Sequence, residues 1–344
     1  RRLAEFAASN FLWIWILFLP ILVMAMLGNG GVLYEWMDPA HVADDALLQH
    51  KAPYLNTGFW LVRAIVFFGL WAAFGWYFLK HSLAQDRDGS VEHTHRMQAL
   101  APIGALVFAL TQTFAAIDWV MSLSPHWFST IFGVYFFAAS CCGFFSVLIL
   151  TCFFLQRSGK LLNEITLEHY QDMGKLLFAF GTVFWAYIGF SQFMLIWYGN
   201  IPEETGWYIA RTLGPWESWS YLLLAGHFVV PFLLLVTKHT KRARGVIAGI
   251  AAWMLLMHII DCYWLVMPEV PNQAIHDAAD LESLRAAVAS GAVDVGYHPG
   301  LADVLCIVGV SLVYVAGSIH RMKGHALAPT ADPRLGEALA FENM

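Results

Sequence analysis

Long apolar runs separated by shorter polar segments dominate the pattern of this chain. A helix needs about 20 residues to cross roughly 30 Å of hydrocarbon. Eight runs come close to that length or exceed it, at residues 11–28, 58–79, 101–121, 131–155, 174–198, 217–237, 246–267 and 300–320. The pattern therefore predicts a single polytopic membrane domain over residues 1–325 with eight spans, followed by a tail over residues 326–344.

The composition supports the prediction of a membrane protein. The chain is 59% hydrophobic and 13% charged, with a mean hydropathy of +0.58, which is too apolar for one soluble core of 344 residues. Only helices and closed barrels satisfy the backbone hydrogen bonds inside a bilayer. Because the runs are too long and continuous for strands, we expect an all-α integral membrane protein.

Basic residues are distributed unevenly between the two sides of the predicted bundle. Fifteen of the 19 Lys and Arg residues fall on the side shared by both termini, and the other side carries only Lys51, Arg63, Arg211 and Arg285. Basic loops stay on the cytoplasmic side, so both termini are predicted to be cytoplasmic. The outer loops, 29–57 and 268–299, are acidic and include Glu269 and Asp277. Within the second loop, residues 280–289 could form a short surface helix.

The chain lacks the sequence motifs of several common metal, haem and nucleotide sites. All five cysteines lie within predicted spans, with no spacing suited to zinc, an iron–sulfur cluster or covalent haem, so we interpret them as small core residues. Neither a Walker A loop nor a GxGxxG motif is present. A redox centre would therefore be haem or quinone, or would belong to another subunit.

Ionisable residues inside the predicted spans are the candidates for function, because a charge in the bilayer is costly. Arg63, Asp118, Glu217, Asp261 and Asp303 fall in the outer third of their spans. Glu217 and Asp303 begin their helices, where an acid also favours the helix dipole. Arg63 could either extend to the interface or balance the charge of an outer carboxylate.

Two histidines lie deeper than these acids. His227 and His258 are each nine or ten residues from the outer end of their spans, about 14 Å at 1.5 Å per residue. His258 and Asp261 are three residues apart on one helix face, so the carboxylate could orient the imidazole or exchange a proton with it. The alternative is a His and an Asp that merely satisfy each other in a bundle core. Axial ligation of a b-type haem by His227 and His258 is a third interpretation.

Three segments carry a resemblance to a known family. They are residues 116–140, which begin AIDWVMSLSPHW, residues 170–205, which include FSQFMLIWYGNIPEET, and residues 258–269, HIIDCYWLVMPE. Together they resemble the ActF subunits of bacterial alternative complex III, a quinol:electron acceptor oxidoreductase, and the similarity runs from the first span to the eighth.

The resemblance implies a fold and a set of partners. It implies an NrfD/PsrC-like arrangement of two four-helix bundles in the bacterial inner membrane, in a family with about ten spans, of which two would precede Arg1. It implies association with an ActC-like membrane subunit, an iron–sulfur subunit and c-type cytochrome subunits, which would carry the iron–sulfur clusters and haem c. This chain would bind no redox metal itself, with quinol or lipid as its only small-molecule ligands.

The resemblance also implies a scaffold with a proton route, and it leaves two alternatives open. The residues proposed for proton movement are Asp118, His227, His258, Asp261, Arg63 and Glu217. In the first alternative the subunit binds quinol directly, and His258 and Asp261 accept its protons. The second alternative is the b-type cytochrome.

Overall fold

The computed structural model describes residues 1–268, 270, 274, 278 and 280–343, so Glu269 and Asp277 of the acidic outer loop lie outside the described residues. Within those ranges every regular element is a helix. Seven helices are long and apolar enough to cross a membrane: Thr57–Asp88, Glu92–Leu123, Phe132–Arg157, Leu167–Gly199, Pro215–Leu235, Arg244–Val266 and Leu301–Met322. They coincide with seven of the eight predicted spans, and the all-α membrane class is confirmed at this level.

The first predicted span is a pair of helices rather than one. Arg2–Leu12 and Ile14–Met26 meet at an angle of 48° and would together make an eighth span. The apolar run at residues 11–28 predicted mainly the second half of this pair. The first half was missed because its polar residues, such as Arg2, Glu5 and Asn10, are buried against protein rather than exposed to solvent.

Several helices extend beyond their apolar runs. The helix predicted at residues 58–79 ends at Asp88, and the one predicted from residue 101 begins at Glu92. Polar residues can continue these helices because only the part of a membrane helix that lies in the hydrocarbon has to be apolar. The short helix predicted at residues 280–289 is confirmed as Leu281–Ala289, where the Asp280 carboxylate accepts a hydrogen bond from the Ser283 amide at 2.7 Å.

Contacts divide the chain into two compact units. The first comprises Arg1–Asp118, Ser158–Thr166 and Gly300–Met344, and the second comprises Trp119–Arg157 and Leu167–Pro299. The first unit contains the bent pair and three of the long helices. The second contains the other four.

The bent pair lies along the helix Thr57–Asp88, hereafter α1, within the first unit. Successive residues of the pair contact progressively earlier residues of α1. The contacts are Arg2 with Ser82, Ala8 with Gly75, Phe11 with Trp71 and Phe18 with Trp60. A Cβ on Gly75 would lie 2.5 Å from the Ala8 carbonyl oxygen, so this glycine permits the close approach of the two backbones. The pair therefore runs antiparallel to α1 over 22 residues, or about 33 Å.

The segment after the last long helix is tied to the same end of α1. The Arg2 guanidinium donates to the carbonyl of Ala326 at 3.1 Å and to that of Ser82 at 3.0 Å. Arg1 pairs with Asp332. Residues 1 and 2 and the tail thus lie together within the first unit.

The second unit is built on two helices that pack along one another, α2 (Phe132–Arg157) and α3 (Arg244–Val266). Two other helices of this unit contain π-helical segments, Leu177–Phe184 and Leu224–Val229. A π-helix leaves backbone carbonyls without their usual partners, and such segments occur often at functional sites. Here the carbonyls of Gly181 and Gly226 accept hydrogen bonds from His227 Nε2 and Trp253 Nε1.

The cysteine interpretation is correct for some residues and wrong for one. All five cysteines are free thiols; Cys142 and Cys152 are buried, and Cys141 and Cys262 are partly buried. Cys306 is exposed, because its helix, Leu301–Met322, presents most of its apolar surface outward.

Candidate functional site

The second unit contains a cavity of about 620 Å³. Its walls are mainly aromatic, with Trp185, Phe190, Trp207, Tyr208 and Trp264 among the lining residues. Tyr135, Gln192 and Arg211 add polar groups to the wall. An apolar cavity of this size with a few convergent polar groups is typical of a small-molecule site.

Asp261 lies behind the cavity wall. Its carboxylate is fully buried and accepts hydrogen bonds from Tyr135 Oη at 2.5 Å and from Trp185 Nε1 at 3.1 Å. Both donors line the cavity. No Lys, Arg or His nitrogen of the described chain lies within 4 Å of this carboxylate. Asp261 is therefore held by two neutral groups that connect it to the cavity.

His227 is fixed by stacking and by a backbone hydrogen bond. Its ring lies parallel to that of Trp185, with centroids 3.9 Å apart, and its Nε2 donates to the Gly181 carbonyl at 3.1 Å. The Nδ1 atom is buried, and no residue that the structure describes hydrogen-bonds to it. Because Trp185 also bonds Asp261, one indole contacts both the histidine and the acid.

His258 does not hydrogen-bond to Asp261, although the two residues are three apart on α3. Asp261 uses donors from facing helices, and His258 Nδ1 is buried with no hydrogen-bond partner in the described part of the chain. The His258 ring packs against Gly143 of α2, where a Cβ would lie 2.9 Å from the ring. The direct contact between His258 and Asp261 that the sequence suggested is therefore absent in this structure. The Asp261 carboxylate is hydrogen-bonded to Tyr135 and Trp185 instead.

Arg211 was missed as a site residue and treated only as an outer-side charge. It is 2% exposed and lies between two short helices, Pro202–Ala210 and Pro215–Leu223. Its guanidinium donates to the carbonyls of Trp207 and Leu265, both at 2.9 Å, and lies 3.4 Å from the centroid of the Trp207 ring. Burial lowers the pKa of Arg211 to about 9. The only sequence signal was one arginine among several tryptophans.

Glu217 lines the same cavity and is about half-exposed. Its nearest cation is Arg285, whose Nη2 lies 3.9 Å away. It occupies the first turn of Pro215–Leu223, as predicted for a residue that begins its helix.

Asp118 belongs to the first unit and has a different environment. Arg63 Nε donates to its carboxylate at 2.6 Å and Arg63 Nη2 at 3.1 Å, while Tyr54 Oη donates at 2.9 Å. Of the two roles considered for Arg63, charge balance is the one the structure contains. Burial, followed by the charge of Asp118, raises the pKa of Tyr54, which packs on Arg63.

The six predicted proton-path residues thus fall into two groups. Arg63 and Asp118 contact each other in the first unit, whereas His227, His258, Asp261 and Glu217 belong to the second. Within the described part of the chain, no three His, Cys, Asp or Glu residues are arranged to hold a metal ion. No protein-family model and no curated protein matches the chain.

Proposed function

We propose that the chain is an integral membrane subunit of a quinol:electron acceptor oxidoreductase of the alternative complex III type, which serves as a scaffold and provides a proton route. Its partners would be an ActC-like subunit, an iron–sulfur subunit and c-type cytochromes, and electrons would pass through them. The resemblance of residues 116–140, 170–205 and 258–269 supports this proposal. The presence of four apolar spans in each unit, if the bent pair is counted, fits the paired four-helix bundles of that family.

The observation that carries the proton route is the environment of Asp261. Among the described residues its hydrogen-bond donors are the neutral Tyr135 and Trp185 groups, and no cation lies within 4 Å to fix its charge. A carboxyl group in such a setting can take up and release a proton. The Tyr135 hydroxyl bridges Asp261 and the cavity, so a proton would pass between them through this hydroxyl.

Asp118 has the opposite setting, because Arg63 balances its charge with two hydrogen bonds. An ion pair of this kind holds two segments together without exchanging protons. We therefore assign Asp118 and Arg63 a structural role, and we assign the route to Asp261, Tyr135, His227 and His258. Glu217, which is about half-exposed on the cavity wall, would be its outer end.

A second candidate function is direct quinol binding. The aromatic cavity favours it, because Tyr135 presents a hydroxyl that is bonded to a carboxylate, and that carboxylate could receive the proton of a quinol hydroxyl. The b-type cytochrome has less support, since His227 Nε2 donates to Gly181 and its ring is covered by Trp185.

Asp261→Asn in the assembled complex separates these functions. The scaffold and proton-route proposal predicts that the variant assembles and oxidises quinol but loses most proton uptake or release, measured with a pH indicator in proteoliposomes. Loss of quinol oxidation itself would instead assign the cavity to quinol. Tyr135→Phe should act in the same direction with a smaller loss, and the exposed Asp294→Asn is the matched control.

Two results would overturn the proposal. One is unchanged proton movement in both Asp261→Asn and Tyr135→Phe, which would return the cluster to a structural role. The other is a b-type haem band in a reduced-minus-oxidised spectrum of the isolated subunit. Purification in mild detergent with identification of co-purifying subunits tests the partners directly.

A further inference from the structure

Arg211 carries a buried charge with no counter-anion in the described chain. Its side-chain nitrogens meet only two backbone carbonyls, and no carboxylate oxygen of the described residues lies within 4 Å. Its Nε is buried and has no hydrogen-bond partner among the described residues. A buried cation is costly unless it is paired. The face of Trp207 offsets part of this cost but supplies no full negative charge.

The same arginine lines the cavity, and most of the other lining residues are apolar or aromatic. Phe190 and Leu224 line this cavity, and both are among the exposed large apolar residues of the chain, at 63% and 56%. The cavity therefore opens on an apolar surface. A ligand with a negatively charged end for Arg211 and an apolar body would match this lining.

We propose that this cavity binds an anionic membrane lipid, with the lipid phosphate at Arg211 and one acyl chain against Phe190 and Leu224. The volume of about 620 Å³ lies within the usual range of ligand sites, roughly 300–1,000 Å³, and accommodates the phosphate end and part of one chain. A neutral quinone would leave the arginine without a counter-charge, so the charge favours a lipid. Arg285, half-exposed on the cavity wall, lies 3.9 Å from the Glu217 carboxylate, so its charge is already balanced and Arg211 is the cation that the lipid phosphate would meet.

The proposal does not depend on membership in a quinol-oxidising complex. Its test uses the purified full chain in neutral detergent and measures thermal unfolding by tryptophan fluorescence with added phosphatidylglycerol, phosphatidylcholine, inorganic phosphate or decylubiquinone. We expect phosphatidylglycerol to raise the unfolding midpoint more than phosphatidylcholine does. Inorganic phosphate at the same concentration should have little effect, because it cannot use the apolar walls.

Three variants and one control locate the effect. Arg211→Gln should weaken the apparent affinity for phosphatidylglycerol roughly tenfold or more, since a charge-assisted contact is lost, and Arg211→Lys should retain most of it. Ala186→Phe should weaken binding by filling the cavity while leaving Arg211 in place. Arg96→Gln removes an exposed cation of the first unit and should change nothing.

Each opposite result overturns the proposal. Unchanged selectivity for phosphatidylglycerol in Arg211→Gln would remove the arginine from lipid binding. An equal effect of inorganic phosphate would make the site a free-anion site, and stabilisation by decylubiquinone alone would make it a quinone site. If Arg211→Gln does not fold, Arg211→Lys and Ala186→Phe decide the question, because retention in Ala186→Phe contradicts the proposed cavity.

Discussion

Two buried aspartates of this protein look alike in the sequence and differ in their partners. Asp118 is bound by Arg63, 55 residues away, and Asp261 by Tyr135 and Trp185, 126 and 76 residues away. An apolar run around an acid predicts only that the acid is costly to bury. Whether a cation or a neutral donor faces it depends on which helix packs there, so the sequence could predict both candidates but not the contrast between them.

The ion pair of the first unit gives a prediction for stability. Asp118→Ala should lower the free energy of unfolding by about 3–5 kcal/mol, because Arg63 would remain buried without its partner. The double variant Arg63→Leu with Asp118→Leu should lose less than this single variant, since neither charge is then left unpaired. Unfolding by SDS in mixed micelles measures both. A double variant less stable than Asp118→Ala would show that the pair itself, rather than the orphaned charge, sets the cost.

Helix ends and bends are where prediction from the sequence was weakest. Apolar length located the long helices, but the helix Arg2–Leu12 was missed because its polar residues are buried against α1. The π-helical segments were also unpredicted. In these segments the Gly181 and Gly226 carbonyls accept hydrogen bonds from side chains of neighbouring helices. The π-helical segments therefore depend on tertiary contacts.

The close approach of the bent pair to α1 can be tested with two glycines of one helix. Gly75→Ala should lower stability by about 1–3 kcal/mol, because the new Cβ would lie 2.5 Å from the Ala8 carbonyl oxygen. Gly69→Ala is the matched control, since a Cβ there meets nothing within 4 Å. Hydrogen exchange should show faster exchange of residues 2–12 in Gly75→Ala alone. Equal exchange in both variants would contradict the packing described here.

At the scale of the whole molecule, contacts within the first unit bear on the number of membrane crossings. Arg2 bonds the carbonyl of Ala326 and Arg1 pairs with Asp332, so the residues before the bent pair and those after the last long helix lie together. Ends on one side require an even number of crossings. Seven long helices alone give an odd number, so we expect the bent pair, which follows α1 for about 33 Å, to be an eighth crossing.

This arrangement, combined with the excess of basic residues on the terminal side, gives a topology prediction. In a background without the five native cysteines, Glu337→Cys should react with an impermeant maleimide only from the cytoplasmic side, and Ser290→Cys only from the opposite side. Both positions are exposed. Labelling of both positions from one side would contradict eight crossings. Labelling of Glu337→Cys only from the outside and of Ser290→Cys only from the cytoplasmic side would contradict the predicted orientation.

The sequence alone determined that this protein belongs in a membrane and located nearly every long helix approximately. Apolar length and the need to satisfy backbone hydrogen bonds in lipid act locally along the chain, so they can be read without a fold. Tertiary structure alone decided that Asp118 meets an arginine, that Asp261 meets a tyrosine and a tryptophan beside a cavity, and that Arg211 is buried with no acid of the described residues within 4 Å. These outcomes depend on contacts between helices far apart in the chain, and the cost of burying a charge is set by those contacts.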